Sequence, residues 1–489
     1  MAYSASSIFC CPNLNPISLS NGVVSYSNRL FGTKNGFFLG SKLVSKDTRI
    51  TTRPEPVSFS VSCPISAESR SFDVVIIGAG IIGLTIARQF LIGSDLSVAV
   101  VDKAVPCSGA TGAGQGYIWM VHKTPGSDKW ELEMRSYKLW QMLAESIRDQ
   151  GLNPLEVLGW KKTGSLLVGR TTEELDMLKR RVKQLSEAGL QAECLYSSDL
   201  LLEEPELAVG EDGGAAFVPD DCQFDAQRTA SFIEKANRHF ASKGRYAEFY
   251  NDPVNCLLRS GSSWEVEGVQ TSKNTLYSKA IVVAAGSWSG SLMHDLLRDS
   301  DILLDVPVKP RKGHLLVLEN VMPLKLNHGL MEMGYVDHQT VNRLATISAS
   351  EPHDCGQDLS VSMTATLDAM GNLVLGSSRQ FVGFSSEVDE STINHIWTRA
   401  GEFFPKLRDL PLSHFSKGRK VRIGLRPYMF DGKPIIGSVP GLPNVFLATG
   451  HEGEGLTLAL GTAEMVADMV LGNPGTIDHA PFAVHGRCC

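Results

Sequence analysis

Two glycine-rich segments near opposite ends of the chain have the residue types of cofactor-binding turns. The first, at 72–83, reads FDVVIIGAGIIG, and the second, at 424–461, reads GLRPYMFDGKPIIGSVPGLPNVFLATGHEGEGLTLALG. Glycine lets the backbone approach a ligand closely, and a helix that begins just after such a turn directs unpaired N–H groups at it. Two such turns favour one cofactor held by both ends of the chain, which suits a tightly bound flavin better than an exchangeable nicotinamide.

The first turn has the spacing of a dinucleotide-binding site. Gly78, Gly80 and Gly83 follow G-x-G-x-x-G spacing directly after the apolar run Val74–Ile77. The first glycine permits a tight turn, the second lets the backbone approach a pyrophosphate, and the third lets helix and strand pack. Asp102 follows a second apolar strand, where a carboxylate accepts hydrogen bonds from an adenosine ribose. These positions predict a strand, a phosphate-binding turn and a helix.

Two further segments have residue types that bind ligands. Ser108–Gly116 reads SGATGAGQG and is predicted to be neither helix nor strand, either packed against a flat or phosphorylated ligand or forming a surface loop. Arg426 lies in a Leu-Arg-Pro turn of the second glycine-rich segment. A guanidinium is always charged and binds a carboxylate through two parallel hydrogen bonds. The alternative for Arg426 is a surface ion pair.

Hydrophobic patterns predict the elements that position these residues. Apolar runs of four to eight residues indicate buried strands, and longer periodic stretches indicate helices. The predicted helices are at 82–91, 130–150, 172–185 and 225–239, and the predicted strands are at 98–101, 164–169 (within 160–170), 247–256, 265–270, 280–286, 306–318 and 366–376.

Residues 1–65 have the composition of a plastid transit peptide rather than of a folded domain. The first basic residue is Arg29, the first acidic residue is Asp47, and the first fifty positions hold nine serines. A Ser-rich, acid-poor segment is typical of organelle targeting, and the uncharged start argues against an Arg-studded mitochondrial presequence. We therefore expect the chloroplast stroma as the location. The alternative is a disordered tail without a targeting role.

Composition excludes several classes of function. The formal net charge of −7 provides no basic field for nucleic acid, and the longest apolar runs are too short to span a membrane. The ten cysteines form no C-x-x-C motif and no Cys/His cluster, so we expect no metal site.

The ordered motifs resemble the D-amino-acid oxidase family of flavoproteins, which includes glycine oxidase, sarcosine oxidase and D-amino-acid dehydrogenases. The resemblance covers about residues 71–475. The segment 424–461 is similar to the glycine-oxidase branch, whereas 373–384 (LVLGSSRQFVGF) is similar to bacterial amine and amino-acid dehydrogenase subunits. The two likenesses agree on fold and chemistry and differ on the electron acceptor, either oxygen or an electron carrier.

The resemblance implies an α/β fold with two domains. A discontinuous Rossmann-like FAD-binding domain would comprise 71–158, 215–305 and 420–475. A substrate domain with a mainly antiparallel sheet would comprise 159–214 and 306–419, followed by a C-terminal tail at 476–489.

It also implies a role for each matching residue. Arg426 would clamp the substrate carboxylate, and Tyr428 and His451 would either cover the substrate and shape the amine pocket or simply pack. The FAD contacts fall on the pyrophosphate turn, the ribose acid, the glycine loop and the start of the last helix: Gly78, Gly80, Gly83, Asp102, Lys103, Ser108, Thr111, Gly114, Gln115, Gly116, Val254, Ala285, Gly286, Gly450, Gly453, Glu454, Gly455, Leu456 and Thr457.

The implied chemistry is oxidation of a small amino acid or amine by hydride transfer to flavin N5, which gives an imine. The FAD would be noncovalent, because no cysteine lies near 426–431, where sarcosine oxidases attach their flavin. Glu452 and Glu454 depart from the glycine-oxidase pattern, and a carboxylate there either favours a cationic substrate or caps a helix. Two alternatives stay open: a 2-hydroxyacid or glycerol-phosphate dehydrogenase on the same fold, and a non-catalytic assembly factor that binds FAD. A third, a flavin-dependent nucleoside-modifying enzyme, is disfavoured by the acidic net charge.

Overall fold

The computed structural model describes residues 68–259, 265–298, 300–319, 324–336 and 359–488. The predicted transit peptide, 1–65, lies outside these residues. The helices of the described residues, numbered in chain order, are α1 (Ile81–Gly93), α2 (Ala110–Ala113), α3 (Trp130–Asp149), α4 (Pro154–Leu158), α5 (Thr172–Glu187), α6 (Ser197–Glu203), α7 (Ala226–Arg238), α8 (Ser289–Leu297), α9 (Glu390–Phe403), α10 (Pro405–Arg408) and α11 (Gly455–Leu471).

The strands, numbered in the same way, form two large sheets and one small pair. They are β1 (Glu68–Ile77), β2 (Val98–Val101), β3 (Tyr117–Ile118), β4 (Ser165–Gly169), β5 (Glu193–Tyr196), β6 (Gly214–Val218), β7 (Cys222–Gln223), β8 (Tyr246–Phe249), β9 (Val254–Arg259), β10 (Val266–Thr271), β11 (Asn274–Val283), β12 (Lys309–Leu318), β13 (Gly329–Glu332), β14 (Ser360–Leu367), β15 (Leu373–Arg379), β16 (Arg419–Tyr428), β17 (Ile435–Val439) and β18 (Leu442–Thr449).

The first sheet has a parallel centre with antiparallel additions at its edges. Its order is β17-β18-β11-β1-β2-β8, and β10 and β9 extend it from β11. Strand β1 runs parallel to both β2 and β11. The four residues Val74–Ile77 are almost fully buried, as a parallel strand covered on both faces requires. Helices α1 and α11 pack on this sheet and on each other.

The second sheet is mainly antiparallel, with the order β16-β12-β15-β14-β13-β4-β6-β5. Its one parallel pairing is that of β13 with β4. Helix α9 packs against one face through apolar residues that include Ile393, Ile396 and Phe403. The opposite face is therefore free to line a binding site. The two sheets match the predicted fold class of a Rossmann-like unit with a substrate domain.

Two predicted domain boundaries differ from the structure. The predicted FAD-binding segments begin at 215 and 420, but β6 and β16 both pair within the second sheet. Each segment therefore finishes its pairing in the second sheet before the chain crosses to the first. The expected C-terminal tail also differs, because Phe482 and Val484 are buried and Arg487 pairs with Asp431.

Three predicted elements also differ. The strand expected at 247–256 is two strands, β8 and β9, which belong to different parts of the first sheet. The strand expected at 366–376 contains a turn, in which Gly371 has a φ of +81° and Asp368 accepts from Met370 and Asn372 N–H. The loop at 108–116 includes the single helical turn α2, which local backbone hydrogen bonds close: Gly112 N–H donates to the carbonyl of Cys107 and Gly114 N–H to that of Thr111, each at 3.1 Å.

Candidate active site

A cavity of about 400 Å³ is lined by both glycine-rich turns and by the second sheet. The first sheet contributes the carboxyl ends of its parallel strands, where ligands bind in open α/β folds. Most of the predicted site residues are in the lining, namely Gly78, Gly80, Asp102, Lys103, Ser108, Thr111, Gly114, Gln115, Gly116, Val254, Ala285, Gly286, Arg426, His451, Gly453, Gly455 and Leu456. The second sheet adds Gly313, Leu315 and Ser377.

Gly78 and Gly83 are required by the backbone around the first turn. Gly78 has a φ of +118°, and a Cβ added there would lie 2.3 Å from the carbonyl oxygen of Ala284. A Cβ at Gly83 would lie 1.9 Å from the carbonyl oxygen of Gly78, so Gly83 serves helix packing and lies outside the lining. Gly80 faces the cavity, and a Cβ added there would lie 3.3 Å from Thr111 Oγ1.

Asp102 both lines the cavity and organises the turn. Its Oδ2 accepts from Ala79 N–H at 2.7 Å, and its Oδ1 accepts from Ala104 N–H at 2.8 Å. Each carboxylate oxygen keeps a further lone pair for a ligand hydroxyl. Asp102 is therefore held in place before any ribose binds.

The glycine loop is tied to both sheets. Thr111 Oγ1 accepts from Ile81 N–H at 3.1 Å, which joins the loop to the start of α1. The Gln115 side chain donates to Thr366 Oγ1 at 3.1 Å and accepts from Thr364 Oγ1 at 3.0 Å. The loop is thus positioned rather than free, contrary to the surface-loop alternative.

Lys103 stacks on an aromatic ring at the cavity wall. Its Nζ lies 3.9 Å from the centroid of the Trp288 ring, in a cation–π arrangement. Partial burial lowers the pKa of Lys103. The Trp288 ring in turn stacks on Phe384.

Two predicted contacts on the second turn have structural roles instead. Glu454 lies outside the cavity lining and binds both Lys123 and Lys129, which hold its pKa well below the usual range. Thr457 donates to the carbonyl of Tyr117 at 3.3 Å and also lies outside the lining. The idea that Glu454 selects a cationic substrate is therefore wrong, because two ammonium groups already compensate its charge.

Gly450 and His451 shape the backbone of this turn. Gly450 has a φ of +78°, and an added Cβ would lie 2.6 Å from Met429 Cγ, so this glycine is needed for packing outside the lining. The Nε2 atom of His451 is 3.0 Å from Thr462 Oγ1 on α11. Burial lowers the pKa of His451 to about 3. The ring is neutral and held by α11, which disfavours a role for it as a catalytic acid.

Arg426 places its guanidinium in the cavity wall on β16. Its Nη1 donates to the carbonyl of Ser378 at 3.0 Å. A Cβ added at Gly313 would lie 2.4 Å from Nη2, so Gly313 leaves the space that the guanidinium fills. No carboxylate of the described residues lies within ion-pair distance of Arg426. A cavity-lining guanidinium that no described carboxylate pairs directly is suited to bind an anionic ligand.

Glu452 lies near Arg426 but pairs with a different arginine. Arg311 donates to Glu452 Oε1 from Nε at 2.9 Å and from Nη2. Arg311, Arg426 and Arg379 together lower the pKa of Glu452 to about 2 despite its burial. Glu452 therefore offers no free charge to a cationic substrate. Tyr428 lies outside the lining and supports this pair, since the Arg311 guanidinium is 4.8 Å from its ring centroid.

Two tyrosines face the same part of the site. The hydroxyl oxygens of Tyr117 and Tyr335 are 2.9 Å apart, and both residues line the cavity. Burial and the neighbouring Tyr335 raise the pKa of Tyr117 well above its usual value. The Tyr117 phenol is therefore a neutral hydrogen-bonding group rather than an anion at neutral pH.

Sequence reasoning missed several residues around this site, which come from three separate segments of the chain. Arg311 and Tyr335 belong to segments without a recognisable motif, and the similarity of 373–384 to dehydrogenase subunits assigned no role to Ser377 or Arg379. The one signal was a group of basic residues at the start of a strand that ends in an apolar run, as in KPRKGHLLVL. That pattern does not tell which face of the sheet the side chain occupies.

The described residues give two further findings. No group of three or more His, Cys, Asp or Glu side chains among them comes together as a metal site would require. None of the helices within the described ranges is long and apolar enough to cross a membrane.

A protein-family model, a related sequence and solved structures all match most of this chain. A family model described as DAO, FAD dependent oxidoreductase, matches residues 73–469. The chain is 26% identical to glycine oxidase of Pseudomonas aeruginosa over 420 residues, which is 85% of this chain and 99% of that protein. The crystal structure of glycine oxidase from Geobacillus kaustophilus superposes with a TM-score of 0.68 and 23% identity, over 85% of this chain and 99% of the other. L-Proline dehydrogenase from P. horikoshii shares the fold, with a TM-score of 0.68 and 18% identity over 86% and 98% of the two chains.

Proposed function

Because this chain belongs to the DAO family of FAD-dependent oxidoreductases, we propose that it oxidises the C–N bond of a small amino acid or N-substituted amino acid. The observation that carries the proposal is the guanidinium of Arg426, which lies in the cavity wall with no carboxylate partner among the described residues. When bound, FAD supplies the hydride acceptor for the carbon that bears a neutral amine, and water hydrolyses the resulting imine.

The residues around the cavity fit this cofactor. Helices α1 and α11 both begin at the cavity, and neither N-cap residue caps its helix with its own side chain. Thr111 Oγ1 accepts from Ile81 N–H at the start of α1. A helix N-terminus directs N–H donors and a positive dipole end toward a ligand. The turn at Gly78–Ile82 would hold the pyrophosphate, Asp102 the adenosine ribose, and the start of α11 the pyrimidine edge of the flavin. We propose that the FAD is held without a covalent bond.

Arg426 would orient the substrate through its carboxylate. One guanidinium N–H is already bound by the Ser378 carbonyl, which fixes the plane of the group and leaves other N–H groups for a ligand. Because the bound substrate is already oriented, its translational and rotational entropy is lost on binding rather than at the transition state, which lowers the barrier.

The charge of the site favours the reactive form of the amine. Arg311, Arg379 and Arg426 lie around one carboxylate, Glu452, as the lowered pKa of Glu452 reflects. A positive field destabilises an ammonium group and so lowers its pKa. A neutral amine is the form that can lose a hydride, which explains why the site needs no His or Asp as base.

The electron acceptor in this proposal is oxygen or an electron carrier, and the proposed location is the chloroplast stroma. The composition of residues 1–65 supports the location.

Anaerobic photometry tests the proposal. Purified protein is mixed with amino acids, N-methyl amino acids or 2-hydroxy acids, and bleaching of the flavin absorbance is followed. We expect bleaching by amino acids, with release of ammonia or an alkylamine. Bleaching by hydroxy acids alone would assign the protein to alcohol oxidation instead. Indifference to the whole panel would favour a non-catalytic FAD protein.

A further inference from the structure

Two buried hydrogen-bond donors without partners lie close together on β15, beside the Arg426 guanidinium. Arg379 is only 4% exposed, and its Nη2 has no hydrogen-bond partner. The hydroxyl of Ser377, two residues earlier, is also buried without a partner, and Ser377 lines the cavity. A buried donor that lacks an acceptor carries the cost of its lost hydration. These two donors therefore require an acceptor that the described residues do not supply.

The balance of charge points to an anion as that acceptor. Three guanidinium groups, of Arg311, Arg379 and Arg426, are close enough to Glu452 to influence its ionisation. Glu452 binds Arg311 directly, and among the described residues no carboxylate lies within ion-pair distance of the other two. If the substrate carboxylate occupies Arg426, one buried cation remains. A buried charge is stable only when it is paired.

The position of Arg379 places this cation next to the cavity. Its guanidinium lies 4.1 Å from the centroid of the Tyr335 ring, and Tyr335 lines the cavity. Its Nη1 donates to Ser362 Oγ at 3.1 Å, so the side chain is anchored on β14 while Nη2 stays unbound. Tyr335 and Ser377 both line the cavity, and the Tyr335 hydroxyl lies 2.9 Å from that of Tyr117.

We propose that the oxidised amino acid carries a second carboxylate, and that Arg379, Ser377 and Tyr335 form the pocket that binds it. The inference rests on the proposed function for the first carboxylate, which Arg426 binds. The substrate class is therefore a dicarboxylic amino acid, with the second acid on its side chain or on the substituent of its nitrogen.

Binding of inert acids tests the pocket without turnover. FAD-loaded protein is titrated with malonate, succinate and glutarate, and with acetate, propionate and butyrate, and perturbation of the flavin absorbance gives each Kd. We expect the best dicarboxylate to bind about 10- to 100-fold more tightly than any monocarboxylate, as a charge-assisted hydrogen bond provides. In Arg379→Gln this preference should fall to within about threefold.

Matched variants separate a binding role from a structural one. Arg379→Lys keeps the charge and should retain part of the preference. Arg422→Gln removes a guanidinium of the same sheet that pairs with Asp368, and it should leave the preference intact. Equal loss of affinity for mono- and dicarboxylates in Arg379→Gln would overturn the proposal. The proposal would also be overturned if the wild-type protein bound mono- and dicarboxylates equally well. This comparison does not depend on whether Arg379→Gln folds.

Turnover distinguishes this inference from the proposed function. Flavin bleaching is compared between glutamate and norvaline, and between iminodiacetate and N-methylglycine. We expect the dicarboxylic member of at least one pair to have a kcat/KM at least about tenfold higher. Equal rates within both pairs would overturn the second-carboxylate pocket and leave the proposed function standing. Tight dicarboxylate binding without bleaching by any amino acid would overturn the proposed function, while the anion pocket would stand.

Discussion

Arg311 and Arg426 lie directly opposite each other in the antiparallel ladder between β12 and β16, yet among the described residues only Arg311 has a carboxylate partner. Like charges opposite one another in a sheet are unfavourable. Glu452 offsets this repulsion by binding Arg311 and by its proximity to Arg426. The arrangement leaves one guanidinium structurally paired and the other free for a ligand.

The first prediction concerns Arg426. Arg426→Leu should lower kcat/KM for carboxylated substrates by about 30- to 1000-fold, because a partly desolvated charged contact contributes about 2–4 kcal/mol. Arg426→Lys should fall between the leucine variant and the wild type, since it keeps the charge but loses the fork. Flavin content and thermal stability should barely change. Undiminished flavin reduction by the leucine variant would place the anchor elsewhere, and loss of FAD would make Arg426 structural.

The second prediction concerns Glu452. Glu452→Gln should lower the free energy of unfolding by about 3 kcal/mol at neutral pH, because Arg311 then loses its buried partner. The folded-state pKa of Glu452 is about 2, below its usual value of 4.5, so the unfolded chain binds more protons in that range. The difference in free energy of unfolding between the wild type and Glu452→Gln should therefore shrink as pH falls from 4.5 toward 2. Chemical denaturation of both proteins across that pH range measures this difference. A difference that does not change with pH would contradict the lowered pKa of Glu452.

The third prediction concerns His451. His451→Gln should leave the pH dependence of kcat/KM unchanged between about pH 5 and 9, because the ring is already neutral there. Thr462→Val removes the same hydrogen bond from the other side. The two changes should be non-additive in a double-mutant cycle of unfolding free energy. Loss of a titration step from the pH profile in the glutamine variant would restore a catalytic role for His451.

The fourth prediction concerns the cofactor. Acid precipitation should release about one FAD per chain into solution, since no cysteine lies near 426–431 and burial raises the pKa of the cavity-lining Cys107 to about 12. Gly80→Val should weaken FAD binding, because Gly80 faces the cavity at an ordinary φ. Gly93→Ala, at the far end of α1, serves as the control. Flavin that stays with the precipitate would refute noncovalent binding.

The fifth prediction concerns the amino terminus. Removal of residues 1–65 should leave FAD binding intact and abolish import of a fluorescent fusion into chloroplasts, because the serine-rich segment is the predicted address. Residues 1–65 fused alone to the reporter should suffice for import. Chloroplast import of the truncated fusion would rule out the targeting role.

The cofactor-binding motif could be predicted from the sequence because the residues that form it are neighbours in the chain. The G-x-G-x-x-G turn needs a strand before it and a helix after it, and all of these follow one another within 68–93. The steric demand at Gly83 comes from Gly78 within the same motif, whereas the demand at Gly78 comes from the Ala284 carbonyl directly after β11. Arg426 lines the cavity, but the Leu-Arg-Pro turn predicted around it is part of strand β16.

Only the tertiary structure shows which groups Glu452 and Glu454 bind. The sequence left Glu452 and Glu454 as either substrate selectors or helix caps. The partner of Glu452 is 141 residues away, and Lys123 is 331 residues from Glu454. Charge compensation depends on such distant pairings, which no local pattern encodes.

Strand register decided the rest of the site. Arg311, Arg379 and Arg426 lie on three different strands, and they meet because β12 pairs with both β15 and β16. A shift of one residue would turn each side chain to the other face of the sheet. The sequence alone therefore determined the cofactor-binding fold and one arginine of the site. The tertiary structure determined which further charges surround that arginine, because the register of distant strands selects the face on which each charge lies.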